Sequence, residues 1–282
     1  MNFDLHTHST ASDGSLTPVD LVAKAVNTGL SAIALTDHDT VAGLDDAAAE
    51  AFRQGIRLIR GIEISIPWEP GEFHLLGLGL QDPLPDTLSQ ALSKLVAQRE
   101  ERNRLMVELM QRKGIAVQYE DIVALSGGTV VGRMHFAEFL KQKKIVKNNE
   151  QAFSRYLGKG CELYVPKENL SFEQAISLIH EAGGLAVLAH PLSLYISWGH
   201  LPNLVSDLRD RGLDGIEAWH PMATKQICMR LERLGKASDL YITAGSDFHG
   251  ASRPDRKLGI TGGGRKIDES LISENLPVRL NF

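Results

Sequence analysis

Short apolar runs alternate with amphipathic stretches along this chain, and one long helical stretch breaks the alternation. "MNFDLHTH", "SAIALTD" and "IRLIRGIEISI" read as strands. Between them "LTPVDLVAKAVNTG" and "DTVAGLDDAAAEAFRQG" read as helices. Thr17 is the expected cap of the first, Pro18 lies in its first turn and Gly29 is its expected stop, while Gly55 ends the second. "EPGEFHLLGLGL" reads as a turn and a returning strand. The pattern then turns wholly helical, through "PDTLSQALSKLVAQREERNRLMVELMQRKG", "YEDIVALSGG", "VGRMHFAEFLKQKK" and "NNEQAFSRYLG", with no strand before about Leu163. Afterwards "SFEQAISLIHEAGG", "LPNLVSDLRDRG" and "TKQICMRLERLGKAS" are helices, and "LAVLAH", "LDGIEAW" and "LYITAGSD" are strands. Alternation of this kind predicts an α/β body, a barrel-like sheet of about seven strands, interrupted by a helical insertion of roughly ninety residues. The expected boundaries are 1–82 and 171–282 for the barrel and 83–170 for the insertion.

Charge follows the same division. The chain carries a net charge of −5. Residues 83–170 hold fourteen Lys or Arg against ten Asp or Glu. An acidic body with a basic insertion suits cations in one and an anionic substrate at the other. The opening residues lack the basic flank and apolar run of a signal peptide. No stretch approaches the roughly 18 to 20 apolar residues of a membrane span. Cys161 and Cys228 stand far apart and read as reduced thiols. A cytoplasmic protein with no membrane segment and no obligate protein partner is expected.

The ends of the predicted strands are rich in ligand-type side chains. Strand one ends at His6 and His8, with Asp13 after it. "TDHD" supplies Asp37, His38 and Asp39, strand three carries Glu63, and the returning strand carries His74. "LAVLAHP" ends at His190, and "ITAGSDFH" ends at Asp247 and His249. Residues i and i+2 of a strand share a face, so His6 projects with His8, and Asp247 with His249. Each alone has a plain alternative, such as a packed core histidine or an exposed acid. Together, nine such groups would be costly to bury without cations among them. Imidazole and carboxylate without thiolate suit zinc, manganese or iron, so a polynuclear metal site is expected.

"DLHTHS", "TDHD", "GIE", "FHLLG", "AHP" and "GSDFH" occur in that order. The set resembles the successive motifs of the polymerase and histidinol phosphatase (PHP) family. The resemblance implies an α/β fold, a distorted (β/α)7 PHP barrel with a helical insertion domain, holding up to three divalent ions. Manganese is the first choice, with zinc, iron or magnesium as alternatives. It implies a first ion on His6, His8, Glu63 and Asp247. A second would share Glu63 and add His74 and His190. A third would take Asp13, His38 and His249. Asp13 departs from histidinol phosphatase relatives, which tend to offer histidine there. "VVGRMHFAEFL", "YLGKGCELYVP" and "IHEAGGLAVLAHP" resemble the subgroup of nucleoside 3′,5′-bisphosphate phosphatases and 5′-to-3′ exoribonucleases.

What the resemblance implies is removal of the 3′-phosphate of a nucleoside 3′,5′-bisphosphate by a hydroxide bridging two ions about 3.5 to 4 Å apart. Asp247, His249 and His220 are the candidates for proton transfer, with a packing role as the plain alternative for His220. Arg133 offers a planar fork to phosphate. Lys159 lies between glycines whose N–H groups could approach an anion, and His135 could add a donor. Tyr164, Tyr195 and Trp198 could stack on a base. The expected partner is a small phosphorylated nucleotide or a short oligonucleotide. Exonucleolytic action on short 5′-phosphorylated RNA or DNA is the main alternative. Histidinol phosphate hydrolysis and a non-catalytic metal-binding module are lesser ones.

Overall fold

The computed structural model describes residues 1–126, 130–166 and 168–280. The chain divides into two compact units, Met1–Gln90 with Asn169–Phe282, and Ala91–Glu168.

In the first unit seven strands lie in one sheet in chain order. They are β1 (Phe3–Asp4), β2 (Ala32–Leu35), β3 (Arg57–Ile66), β4 (Phe73–Leu78), β5 (Leu185–Leu188), β6 (Gly215–Trp219) and β7 (Tyr241–Ala244). All neighbours are parallel except β4, which runs antiparallel to both β3 and β5. The link from β3 to β4 is a hairpin, too short for the crossover that parallel pairing needs. The sheet edges meet: the Leu5 N–H donates to the Ala244 carbonyl at 3.3 Å and the His8 N–H to that of Phe248 at 2.9 Å. Thr7 and Phe248 also form a parallel bridge. The result is a nearly closed seven-stranded barrel, the PHP-like α/β fold expected, with β4 as its distortion.

Strand one is shorter than its sequence suggests. Beyond Asp4 side-chain bonds supplement a sparse ladder: Thr7 Oγ1 donates to the Ala34 carbonyl at 2.6 Å, Thr36 Oγ1 accepts from the Thr7 N–H at 3.2 Å, and the Thr36 N–H donates to the Thr7 carbonyl at 2.9 Å. Helix α1 (Pro18–Asn27) starts as read, with Thr17 accepting from the Asp20 N–H at 3.0 Å. It ends at Thr28, with Gly29 following at φ +80. Helix α2 (Leu44–Gln54) begins five residues later than "DTVAG" suggests, because Asp39 turns the chain at φ +54. Leu21, Val22 and Ala25 of α1 and Leu44, Ala47 and Ala51 of α2 bury against Ile33 and Leu35 of β2. Each fully buried Leu or Ile contributes about 1.5–3 kcal/mol.

The second unit takes α3 (Asp86–Arg112) from Ala91 onward, α4 (Tyr119–Leu125), α5 (Arg133–Gln142) and α6 (Asn149–Ala152). The last two residues of "YEDIVALSGG", Gly127 and Gly128, lie outside the described residues. "NNEQAFSRYLG" is not one helix. Four residues of α6 pass into a π turn over Phe153–Leu157, whose wider ring brings the Gly158 N–H to the Phe153 carbonyl at 2.7 Å. Met106, Met110, Ile122, Phe136, Leu140, Leu157 and Leu163 form this unit's own core. Among the described residues it contains no strand.

The first unit is completed by α7 (Phe172–Glu181), α8 (Leu201–Asp210) and α9 (Lys225–Ala237). Ser171 and Gln174 form a capping box at α7, and Thr224 caps α9. The sequence reading missed the elements beyond β7: the short pair β8 (Ile260–Thr261) and β9 (Arg265–Lys266), and the one-turn helix α10 (Leu276–Arg279). Elements of two to four residues show no period to read.

Candidate metal centre

At the barrel face where the parallel strands end, Glu63 is fully buried in the midst of five imidazoles. Its Oε1 lies 2.9 Å from His190 Nε2 and 3.0 Å from His74 Nδ1. Its Oε2 lies 3.3 Å from His6 Nε2, 3.2 Å from His8 Nε2 and 3.1 Å from His38 Nδ1. Yet Oε2 makes no properly directed hydrogen bond, and neither does the buried His8 Nδ1. His74 joins because β4 is reversed: its start lies beside the end of β3, with His74 opposite Ser65.

The outer edges of three histidines fix which nitrogen faces inward. His6 Nδ1 lies 3.0 Å from Glu217 Oε1 and so carries the proton, leaving the Nε2 lone pair for the site. His190 Nδ1 is 2.7 Å from Ser193 Oγ, which itself donates to the Glu72 carbonyl at 2.9 Å, so His190 Nε2 is the free donor. His249 Nδ1 donates to the Asp247 carbonyl at 2.8 Å and turns Nε2 toward Asp13 Oδ1 at 3.3 Å. Asp247 Oδ1 lies 3.4 Å from His6 Nε2, 3.3 Å from His8 Nε2 and 3.5 Å from His249 Nδ1.

Three groups of donors result, and the donor atoms within each lie within 4.8 Å of one another. They are His6, His8, Glu63 and Asp247; His38, Glu63 and His74; and His8, Asp13, His38 and His249. His190 joins Glu63 and His74 through its Nε2, 3.3 Å from His74 Nδ1. The nine residues that the resemblance assigns to ions are thus brought to one site, whereas Asp37 accepts from the Ser9 N–H and the Ser12 hydroxyl and Asp39 from the Ser65 N–H. His8 and His38 each turn one nitrogen toward each of two groups, which their sequence positions do not reveal. Inward lone pairs, buried carboxylates and an orphaned Glu63 oxygen fit divalent ions of the borderline to hard class.

Without an ion, electrostatics divide the imidazoles of this donor set. Burial pulls the His38 pKa down to about 4, leaving a neutral ring. Burial also pulls on His8, but the Asp247 and Glu63 carboxylates outweigh it and carry its pKa up to about 10. Burial opposes charge on Glu63 and Asp247, yet the surrounding histidines hold both well below the usual carboxylate range. Asp13 is likewise held low, by His249 and His38 against burial.

Four supporting residues escaped the sequence reading. Glu217, fully buried in β6, accepts from the His190 N–H at 2.8 Å as well as from His6. Its signal was an acid inside the apolar run "LDGIEAW". Gly245 must lack a side chain, since a Cβ there would stand 2.5 Å from Glu217 Oε1 and 2.3 Å from His6 Cβ. Arg256 is buried, with Nη1 3.0 Å from His220 Nε2 and 3.5 Å from Asp247 Oδ2. Asp4 accepts from the Ser246 N–H at 2.9 Å and the Gly259 N–H at 2.7 Å, stapling both ends of the segment that carries Asp247, His249 and Arg256. Asp4 also accepts from the His6 N–H at 3.3 Å, so Asp4→Ala leaves three buried donors unpaired, at about 1–3 kcal/mol each. Denaturant unfolding of the metal-free protein should show a loss of about 3 kcal/mol; a loss under about 1 kcal/mol would discount the staple.

His220 belongs to none of the three donor groups. Its Nδ1 lies 3.2 Å from the Met222 N–H, and its Nε2 lies 3.3 Å from Asp247 Oδ2 and 3.0 Å from Arg256 Nη1. Arg133, His135 and Lys159 lie in the second unit. His135 Nδ1 accepts from the Gly132 N–H at 2.9 Å, capping α5. The anion nest expected around Lys159 is half closed, because the Gly158 N–H is engaged by Phe153. Arg133 faces the rings of Phe153 and Tyr164, each at 5.8 Å. The sequence reading passed over Arg102, which is buried and pairs with no carboxylate among the described residues. Burial, with Arg99 and Arg133 nearby, lowers its pKa to about 10, and its Nε lacks a partner. Its Nη2 donates to Asn103 Oδ1 at 2.8 Å.

Residues 4–181 match the family described as PHP domain. A 5′-3′ exoribonuclease of Haemophilus influenzae is 40% identical over 247 residues, which cover 88% of this chain and 89% of the relative. A 3′,5′-nucleoside bisphosphate phosphatase of Chromobacterium violaceum is 34% identical over 261 residues, covering 92% of this chain and 91% of the relative. The solved structure of an amidohydrolase from Chromobacterium violaceum with bound sulfate superposes with a TM-score of 0.81 at 32% identity, over 99% of this chain and 97% of that one.

Proposed function

The chain belongs to the PHP domain family, and from that premise we propose that it is a metal-dependent phosphoesterase that removes the 3′-phosphate of nucleoside 3′,5′-bisphosphates. The observation that carries the reading is the buried Glu63 carboxylate, one oxygen of which has no directed hydrogen bond although three imidazole nitrogens lie within 3.3 Å of it. Such a site suits ions that acidify water and offset phosphoryl charge. His6, His8, Glu63 and Asp247 would hold one ion; Glu63, His74 and His190 a second; Asp13, His38 and His249 a third.

In the hydrolysis a water oxygen bonds to phosphorus, the bond from phosphorus to the 3′-oxygen breaks, and that oxygen takes a proton. Asp247 Oδ2 and His220 Nε2 lie 3.3 Å apart, close enough to pass a proton, and Arg256 Nη1 stands 3.0 Å from the same His220 nitrogen. His249 keeps Nδ1–H tied to the backbone, so its Nε2 stays a donor of electrons. Arg102 and Arg133 in the second unit suit a nucleotide phosphate, and Lys159 is an exposed cation of the same unit. The more similar of the two curated relatives, the exoribonuclease at 40% identity, favours a second reading: stepwise release of nucleotides from short 5′-phosphorylated RNA. Both reactions break a bond from phosphorus to a 3′-oxygen, in a monoester in the first and a diester in the second.

Manganese-loaded protein should release phosphate from adenosine 3′,5′-bisphosphate. Release no greater than that of Asp247→Asn removes the reading, and a ladder from 5′-phosphorylated RNA without phosphate release favours the second.

A further inference from the structure

One aromatic side chain of the first unit is presented to solvent on a rigid mount. Tyr195 is 69% exposed. It ends the 3-10 turn Pro191–Leu194 that starts directly after His190. Both flanking residues have positive φ, His190 at +26 and Tyr195 at +51. Such backbone is sparsely populated by non-glycine residues and persists only where the surroundings fix it. Here the β3–β4 hairpin fixes it. Trp68 Nε1 donates to the Leu194 carbonyl at 3.0 Å, and the Glu72 N–H donates to that of Ser193 at 2.8 Å. Gly71 is pressed against the turn so closely that a Cβ would stand 2.0 Å from the Ser193 oxygen.

The other two candidate stacking rings already have partners. Tyr164 faces Arg133, and Trp198 carries the Arg230 guanidinium 4.0 Å from its ring centroid. That last contact joins the loop after β5 to helix α9, which follows β6, the neighbour of β5. A bare ring, a ring stacked with an exposed arginine and the exposed Met222 therefore lie on the two loops that continue from His190 and His220. Aromatic faces with a cation beside them are the makings of a single-strand nucleic-acid platform.

We infer that Tyr195 stacks the base of the nucleotide that bears the attacked phosphate on its own 5′-oxygen. This subsite exists only for substrates longer than a mononucleotide, with Arg230 offered to the next phosphate. The assignment follows from attachment: the platform is built on the unit that holds the donor groups, so its occupant is joined to the phosphorus held there. In a nucleoside bisphosphate nothing is joined at that position. The inference rests on the phosphoesterase reading above.

The test compares adenosine 3′,5′-bisphosphate, a 5′-phosphorylated diadenylate and the same dinucleotide lacking its second base, all with manganese-loaded protein. Tyr195→Ala should raise KM for the diadenylate about tenfold or more, as loss of one base stack does. Its kcat should stay within about threefold. Its KM for the bisphosphate and for the base-lacking dinucleotide should be unchanged, and Tyr195→Trp should restore wild-type KM. An unchanged KM for the diadenylate, or an equal rise for all three, overturns the subsite and leaves bisphosphate hydrolysis standing. Wild-type protein that hydrolyses none of them removes the phosphoesterase reading and the subsite with it.

Discussion

Glu63→Gln should lower phosphoester hydrolysis by about 10³-fold or more, equivalent to at least about 4 kcal/mol of transition-state stabilisation. Among the described residues no other carboxylate meets as many imidazoles; Asp247 meets four, and Arg256 as well. Five imidazole nitrogens lie within 3.3 Å of its two oxygens. The substitution keeps shape but removes the charge and turns an N–H₂ group toward lone pairs. Two of the three donor groups contain Glu63, so metal content should fall with activity. Metal analysis after dialysis against manganese, circular dichroism and turnover separate the effects. A folded variant that retains a full metal complement and more than about a tenth of wild-type turnover would remove Glu63 from the centre of the site.

How far the sequence foretold this site depends on the range of the interaction. His6 with His8, and Asp247 with His249, were legible because side chains two apart on extended backbone share a direction. The ordered motifs extended that to Glu63, His74 and His190. The sharing of His8 and His38 between donor groups was not legible, because it depends on ring orientation across three strands. Arg256 carried no signal: "RPDRKLG" reads as a charged surface loop, and only Asp4's grip on Gly259 turns it inward. In the insertion, helix positions followed from apolar period, whereas the π turn and the engaged Gly158 N–H arise from how α6 ends. Arg102 was hidden in "QREERNRLM", where a run of charges on a long helix reads as solvated face.

Manganese affinity should rise steeply with pH, by at least about tenfold per unit between pH 6 and 8. The cause is His8. In the metal-free protein its pKa stands near 10, against an ordinary 6.5, because Asp247 and Glu63 overcome the pull of burial. To donate to a metal the ring must give up that proton, so one proton leaves with each ion bound there. His6 and His74 are raised in the same direction and add to the release, while His38, near 4, is already neutral and adds nothing. The sign for the metal-free fold is opposite. A histidine whose folded pKa exceeds its unfolded value contributes stability fully present below pH 6.5 and lost as pH rises toward 10. Raising the pH should therefore lower the melting temperature of the chelator-treated protein while strengthening its stabilisation by manganese. Titration calorimetry in two buffers of different ionisation enthalpy counts the protons directly. Release of fewer than about half a proton per ion, together with a flat affinity from pH 6 to 8, would mean that His8 is not protonated in the metal-free site. The carboxylates around it would then have to be balanced by another cation, and Arg256, 3.5 Å from Asp247 Oδ2, is the buried group positioned to supply that charge.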